Sequence, residues 1–183
     1  GQCELDRAVA PHPTVSNLSL LTAPLTLPED FSGEEGFRAM LDQAREVYDY
    51  ILIDCPAGLG QGFRLAVSGA DRAVVVSVSD PSSLRDAQRV VTHLAHLETV
   101  HLVVNRVRRP LLKKMETTID HAMDTAGLPL LGLVPEDANV VLAAAYGKPL
   151  LKTTRRGAAA ACKHGESQNC DHHHSKNLFH FNV

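Results

Sequence analysis

The chain lacks an excess of charge of either sign. Its 183 residues carry 18 lysines and arginines against 21 aspartates and glutamates, a formal net charge of −3. A protein whose main partner is a phosphate backbone neutralises phosphates with a surplus of cations, so nucleic acid is not expected as that partner, although a small local basic site remains open. Long hydrophobic runs are also lacking. Runs such as Ala73-Val74-Val75-Val76 fall far short of the roughly 20 apolar residues that a membrane span needs. Cysteine is sparse and irregularly placed, at Cys3, Cys55, Cys162 and Cys170. That spacing excludes a disulfide framework and points to reduced thiols in a cytoplasmic protein. Cys170-Asp171-His172-His173-His174 could chelate a transition metal in principle, but no second cluster stands at finger-like spacing, so no physiological metal site is expected there. No basic n-region or apolar h-region follows Gly1, so a secretory signal is not visible, although one could have been cleaved.

What is present reads as one domain or slightly more, large enough to bury a substantial core without staples. Between positions 18 and 150 strand and helix patterns alternate. Leu18 to Thr22 reads as a short strand. Ser32-Gly33-Glu34-Glu35 has the form of a capping box, and Phe37, Met40, Leu41, Ala44, Val47 and Tyr48 follow at helical spacing. Tyr50 to Asp54 is a continuous apolar strand ending in an acid, the pattern of a central strand in a parallel sheet. Ala73 to Val78 is a second such strand. Asp80-Pro81 caps and starts the next helix, whose inner face carries Leu84, Ala87, Val91 and Leu94. Val100 to Val104 is a further strand. Leu112 to Ala126 reads as a helix ended by Gly127 and Pro129. Leu130 to Val134 and Asn139 to Tyr146 are the last strand and helix, and Pro24 to Pro28 is a loop or linker. The alternation predicts an α/β, doubly wound and mostly parallel sheet, covered on both faces.

Such sheets bind ligands beyond the carboxyl ends of their strands. Polar or glycine-rich residues gather there in four places: Asp54 to Gly60, Ser79-Asp80, Asn105-Arg106 and Pro135-Glu136-Asp137. Asp54 is a hard oxygen ligand suited to Mg²⁺, directly or through water, and Gly58 lets a backbone N–H approach an anion closely. An ordinary strand-ending Asp that caps a turn gives the same pattern. Asn105 offers the donor and acceptor that an adenine edge needs, but a turn Asn is as natural there. Asp137 is by itself a plausible N-cap for the helix that follows. Arg108-Arg109 and Lys113-Lys114 read as a solvated basic patch. Ser82-Ser83 reads as a helix start, because no Gly-x-Ser-x-Gly elbow surrounds it. His93, His96, His101 and His121 share no ligand spacing.

Taken together, Tyr48 to Gly58 resembles the Walker B and switch II region of the MinD/ParA class of deviant-Walker P-loop ATPases. The resemblance continues in the family's order through Gly69 to Val76, Ser82 to Ala87, Val103 to Val107 and Leu131 to Asp137, and it covers most of positions 1 to 150. The Asp-x-Pro-Ala-Gly form at Asp54 to Gly58 is closer to the MinD side of the class. The resemblance implies a P-loop NTPase-like fold of SIMIBI type, with ATP and Mg²⁺ as cofactors. By the same resemblance Asp54 supports Mg²⁺ through water, Gly58 lies near the γ-phosphate, Asn105 reads adenine, and Pro135, Glu136 and Asp137 form the loop beside the base. Arg85 and Asp86 fall near a dimer or partner face. In the family, ATP drives a sandwich homodimer that binds the inner face of the cell membrane through a C-terminal amphipathic helix. An activating partner protein then triggers hydrolysis and release, and the cycle positions the division site.

Two departures qualify these expectations. Nothing matches the Lys-Gly-Gly-x-Gly-Lys-Thr loop, which supplies the clustered N–H donors and lysines that hold phosphate. The expectation is therefore a partial ATPase domain over 1–157, incomplete at its N-terminus and without a central strand, whose sheet exposes unpaired edges and which binds ATP poorly on its own. The stretch from His164 to Val183 holds five of the ten histidines and loses helical periodicity. Residues 158–183 are expected to be an irregular, disordered tail that arises from a reading-frame change near Lys163 or from a chimeric join. The alternatives are a non-enzymatic pseudo-ATPase interaction module, or another ParA-class partitioning or positioning ATPase.

Overall fold

A computed structural model describes residues 5–23, 33–108 and 116–150, together with the backbone of residues 176–182; residues 116–118 are likewise described by backbone alone. A short helix α1 (Leu5–Ala8) precedes a two-stranded antiparallel ribbon of β1 (Ala10–Pro11) and β2 (Ser19–Leu20). The main body then runs α2 (Glu34–Arg45), β3 (Tyr50–Cys55), α3 (Gln61–Ser68), β4 (Arg72–Ser77), α4 (Pro81–Val91), β5 (Thr99–Val107), α5 (Glu116–Ala126), β6 (Leu130–Pro135), α6 (Ala138–Ala145) and β7 (Lys176–Asn182). β3 to β7 form one parallel sheet in the order β3-β7-β4-β5-β6.

The α/β parallel architecture read from the alternating pattern is thus present, but its central position is filled from an unexpected direction. The sheet does not lack a strand between β3 and β4. Tyr50 to Cys55 of β3 pair with Lys176 to Phe181, and Arg72 to Val76 of β4 pair with Leu178 to Asn182. The tail expected to be irregular over 158–183 is therefore a strand at 176–182. The reason is local supply and demand: two neighbouring rows of unpaired N–H and C=O groups are a template for any extended segment that reaches them. Residues 158–175, the linker at Pro24 to Pro28 and Ser32 of the capping box lie outside the described residues.

The core lies on one face of this sheet. Ala73 and Val75 of β4, with Leu102 and Val104 of β5, pack against Phe63, Ala66 and Val67 of α3, Leu84, Ala87 and Val90 of α4, and Ala122 and Ala126 of α5. Side chains alternate across a strand, so the intervening residues point the other way. On that second face Tyr50 and Leu52 of β3 and Leu131 of β6 are exposed. α2 packs beside α3 and β3, burying Leu41 and Ala44. Val47, read as part of its apolar stripe, is exposed because the helix ends at Arg45. The N-cap position falls on Gly33, with no side-chain cap bond.

α4 starts as Asp80-Pro81 predicted. The Asp80 carboxylate accepts from the backbone N–H groups of Ser82 and Ser83, each at 3.0 Å, and from both hydroxyls, at 2.6 and 2.7 Å. The hydroxyls of Ser82 and Ser83, with the backbone bonds, hold the Asp80 carboxyl well below the ordinary carboxylate range. A depressed folded-state value adds stability above the unfolded carboxyl value of about 4, and that contribution is lost as the pH falls below it. Asp80→Asn keeps a capping side chain but removes the titration. It is expected to flatten the acid limb of the stability profile between about pH 5 and pH 2, measured by urea denaturation at each pH. An acid limb equally steep in the variant would assign it to other carboxylates.

Candidate functional site

The carboxyl ends of β3, β4, β5 and β6 lie along one edge of the sheet, because all the strands run parallel. Each end is shaped by its local sequence. β3 ends in Asp54, which is exposed, and Cys55, which is buried. Burial, and secondarily the Asp54 carboxylate beside it, push the Cys55 thiol up to about 12. Its Sγ donates to the carbonyl of Pro56 at 3.4 Å. A thiol held this firmly protonated is structural rather than nucleophilic. The chain then turns through Gly58, whose φ of +89° is a conformation that side-chain-bearing residues rarely adopt. It enters α3 through Gly60 and Gly62. A Cβ at Gly62 would meet the Pro56 ring at 2.9 Å, so glycine there lets the first turn of the helix close onto the loop.

β5 and β6 build the other half of the edge. Val104 pairs with Leu133 but Val107 pairs with Pro135, so β5 carries one residue more than β6 over this stretch. The bulge holds Asn105 and Arg106, and Arg106 is at φ +54°, the left-handed region, the one non-glycine residue with positive φ among those described. Asn105 Oδ1 accepts from the Arg106 N–H at 2.8 Å, which fixes the side-chain amide at the bulge. Bulges of this kind re-aim side chains at the rims of sheets.

The loop after β6 closes on the bulge. The Glu136 N–H donates to the Val107 carbonyl at 2.9 Å. The Glu136 carboxylate accepts from Arg108 Nε at 2.9 Å and from the Arg106 guanidinium at 3.5 Å. These ion pairs are largely exposed, so they orient the loop more than they stabilise the protein. Asp137 caps α6, accepting from the backbone and side-chain N–H groups of Asn139 at 2.9 and 2.8 Å. The capping alternative foreseen for Asp137 is therefore what its carboxylate does, and Ser82-Ser83 is likewise a helix start.

Asn105, Pro135, Glu136 and Asp137 meet in one cleft of about 1020 Å³. Its floor is the second face of the sheet, at Val74, Val76 and Val103, and α6 supplies Val140 and Val141 as a wall. An apolar floor and wall with a few polar groups at the rim is the usual make-up of a small-molecule site. Asp54 and Gly58 share the edge but not the cleft lining; β7 and β4 stand between β3 and β5. Arg85 and Asp86 are exposed on the outer side of α4, where Asp86 pairs with Arg89 at 3.2 Å. Among the described residues no group of three or more His, Cys, Asp or Glu could hold a metal ion. His93 stacks edge-on against Phe63, with ring centroids 6.0 Å apart, and so belongs to the packing. Sequence reasoning missed the bulge, the Arg106 and Arg108 clamp on Glu136, and α3; the tight glycine spacing at Gly58, Gly60 and Gly62 was the available signal for a strand-to-helix turn.

A family model described as an AAA domain matches residues 6–107, more than half of the chain. The septum site-determining protein MinD of Bacillus subtilis is 34% identical over 166 residues, which are 88% of this chain and 62% of that protein. The putative septum site-determining protein MinD of Mesostigma viride is 38% identical over 155 residues, 82% of this chain and 54% of that protein. The chain thus spans less than two thirds of the length of these curated relatives. Among solved structures, the MinD cell division protein of Aquifex aeolicus superposes with a TM-score of 0.71 at 26% identity, covering 91% of this chain and 72% of that one. The MinD of Pyrococcus horikoshii, solved in complex with Mg-ADP, superposes with a TM-score of 0.68 at 25% identity, covering 87% of this chain and 65% of that one.

Proposed function

The chain belongs to the AAA-domain family of the septum site-determining MinD proteins, and on that premise we propose that it forms part of an ATPase that positions the cell-division site. The observation that carries this reading is the meeting of Asn105 with Pro135, Glu136 and Asp137 in one cleft, although some thirty residues separate them in the chain. In the proposed complex the Asn105 amide faces the adenine edge, and the 135–137 loop borders the ring. The Asn105 carbonyl oxygen already accepts from Arg106, which leaves its second lone pair and the amide protons for the base.

Asp54 fits an Mg²⁺ ion held mainly by water and nucleotide oxygens, which is how this ion usually binds when one carboxylate is at hand. The ion supplies charge neutralisation at the phosphates; Asp54 supplies an anion at the strand end that orients the ion's water. Gly58, with its positive φ, supplies a backbone turn beside that position. The described residues do not themselves provide the clustered cationic phosphate loop that a nucleotide needs for tight binding. We therefore assign to this chain the base and metal sides of the site, and weak affinity when it acts alone.

The wider cycle extends the same reading: ATP-dependent homodimerisation, an activating partner protein, and reversible association with the inner face of the cell membrane. No helix among the described residues is long and apolar enough to cross a membrane. A non-enzymatic, partner-binding module is the competing reading.

Calorimetric titration with Mg²⁺ and either ATP or GTP separates them. The expected result is weak binding of ATP in preference to GTP, with Asn105→Ala costing about tenfold or more in ATP affinity, since the base edge loses its partner. No nucleotide binding, or equal affinity for both bases untouched by Asn105→Ala, would support the module instead.

A further inference from the structure

Glu136 is tied to the end of β5 three times over. Its N–H donates to the Val107 carbonyl at 2.9 Å, its Oε2 accepts from Arg108 Nε at 2.9 Å, and its Oε1 stands 3.5 Å from the Arg106 guanidinium. These partners are three successive residues of the chain. Residues two apart on an extended segment share a side, so Arg106 and Arg108 reach the same carboxylate while Val107 enters the core. The neighbouring carboxylate does different work: Asp137 Oδ1 accepts from Asn139 and caps α6.

The anchorage reaches Asn105 in one step. Arg106, at φ +54°, holds a backbone conformation that residues with side chains seldom adopt. Its N–H is the donor to Asn105 Oδ1 at 2.8 Å, so the direction of that N–H sets the direction of the Asn105 amide. Arg106 is exposed, and polar contacts rather than packing hold its side chain. Exposed ion pairs of this kind add little to stability, but a carboxylate shared by two guanidinium groups fixes direction. The amide's direction matters because its two ends are chemically opposite. A half-turn about the bond to the carboxamide exchanges acceptor for donor. Adenine presents an amino donor beside a ring acceptor, and guanine a carbonyl acceptor beside a ring donor. A pinned amide accepts one pattern, whereas a turning amide satisfies either.

We propose that Glu136, Arg106 and Arg108 are positioning residues for base discrimination. Glu136 acts through Asn105 rather than on the base: by holding Arg106 and the Val107 carbonyl it keeps the Asn105 amide in the one orientation that reads adenine and rejects guanine. The inference rests on the nucleotide reading proposed above and adds to it the groups that set its specificity.

The test compares ATP with GTP on the full chain. The two share sugar and phosphates, so the ratio of their affinities isolates the base. In the unmodified chain ATP is expected to be preferred, and raising the salt from about 0.05 to 0.5 M is expected to erode the preference, because exposed ion pairs are screened. Glu136→Gln keeps the shape and removes the charge. It is expected to lower the preference by about two- to fivefold, to make the remainder independent of salt, and to leave the denaturation midpoint unchanged. Adding Arg108→Ala to Glu136→Gln should cost no further preference, since the two act as one unit. Without nucleotide, exchange of the Arg106 amide hydrogen is expected to quicken several-fold in Glu136→Gln. Unchanged Arg106 exchange, or a variant that keeps the parent's preference and salt dependence, overturns the proposal. Asn105→Ala distinguishes the two failures. Preference lost in Asn105→Ala but intact in Glu136→Gln removes the positioning role and keeps the nucleotide reading; no preference for ATP in the unmodified chain removes both.

Discussion

Leu102→Ala is expected to lower the stability of the chain by about 2–5 kcal/mol, out of a total on the order of 5–15 kcal/mol. Leu102 is fully buried in the middle of β5, where it pairs with Val75 on one side and Leu130 on the other. Its side chain stands on the face that packs against α3, α4 and α5. Truncation there removes apolar contact and leaves a cavity lined by β4 and helix residues that are themselves fixed by the sheet, so collapse around the void is limited. Urea denaturation should show a lower midpoint with an unchanged slope. Leu131→Ala is the internal control. That leucine is 58% exposed on the second face, and its loss should change stability by no more than about 0.5 kcal/mol. Similar effects at the two positions would mean that the core does not lie on the face described.

Asp54→Asn is expected to raise the Mg²⁺ concentration needed for half-maximal nucleotide binding by about 10–100-fold, the size of effect typical for groups that orient a metal's ligands without being its sole anchors. No three-residue acidic or histidine cluster surrounds Asp54 among the described residues. If Asp54 serves Mg²⁺ as proposed, its carboxylate would contribute charge and orientation beside ligands from water and phosphate. The substitution keeps shape and removes charge. Because Asp54 is exposed, the denaturation midpoint should stay close to that of the parent. An unchanged Mg²⁺ requirement would make Asp54 an ordinary strand-ending acid, the alternative that its sequence position leaves open.

Much of the fold was legible in the sequence because its elements report their own causes. The apolar runs at Tyr50, Ala73, Val100 and Leu130 mark strands buried in a parallel sheet, and each appears within a few residues of its expected bounds. Asp80-Pro81 announces α4 because the cap and the fixed φ act within one turn. α3 escaped notice because it has only eight residues and begins among glycines. The strand at 176–182 was hidden for a different reason: its partners β3 and β4 lie far away in the chain, so nothing within the segment itself announces the pairing. The candidate site divides the same way. Asn105 and Pro135 to Asp137 could be picked out as strand-end polar residues, and their convergence follows from parallel topology. The left-handed Arg106 and its clamp on Glu136 depend on the mismatch between two strands, which no single segment reveals.

That mismatch ties the rim of the cleft to the centre of the protein. In a regular strand, residues three apart face opposite sides, yet Val104 and Val107 are both buried, at 1% and 2% exposure, in the same core. The extra residue acts as a half-period phase shift: it carries Asn105 to the cleft and returns Val107 to the packed face. Removing one residue here would restore a straight strand and turn Val107 outward. The spacing Asn105-Arg106-Val107 is therefore held by packing on one side and by the cleft on the other, so a deletion in it alters both at once.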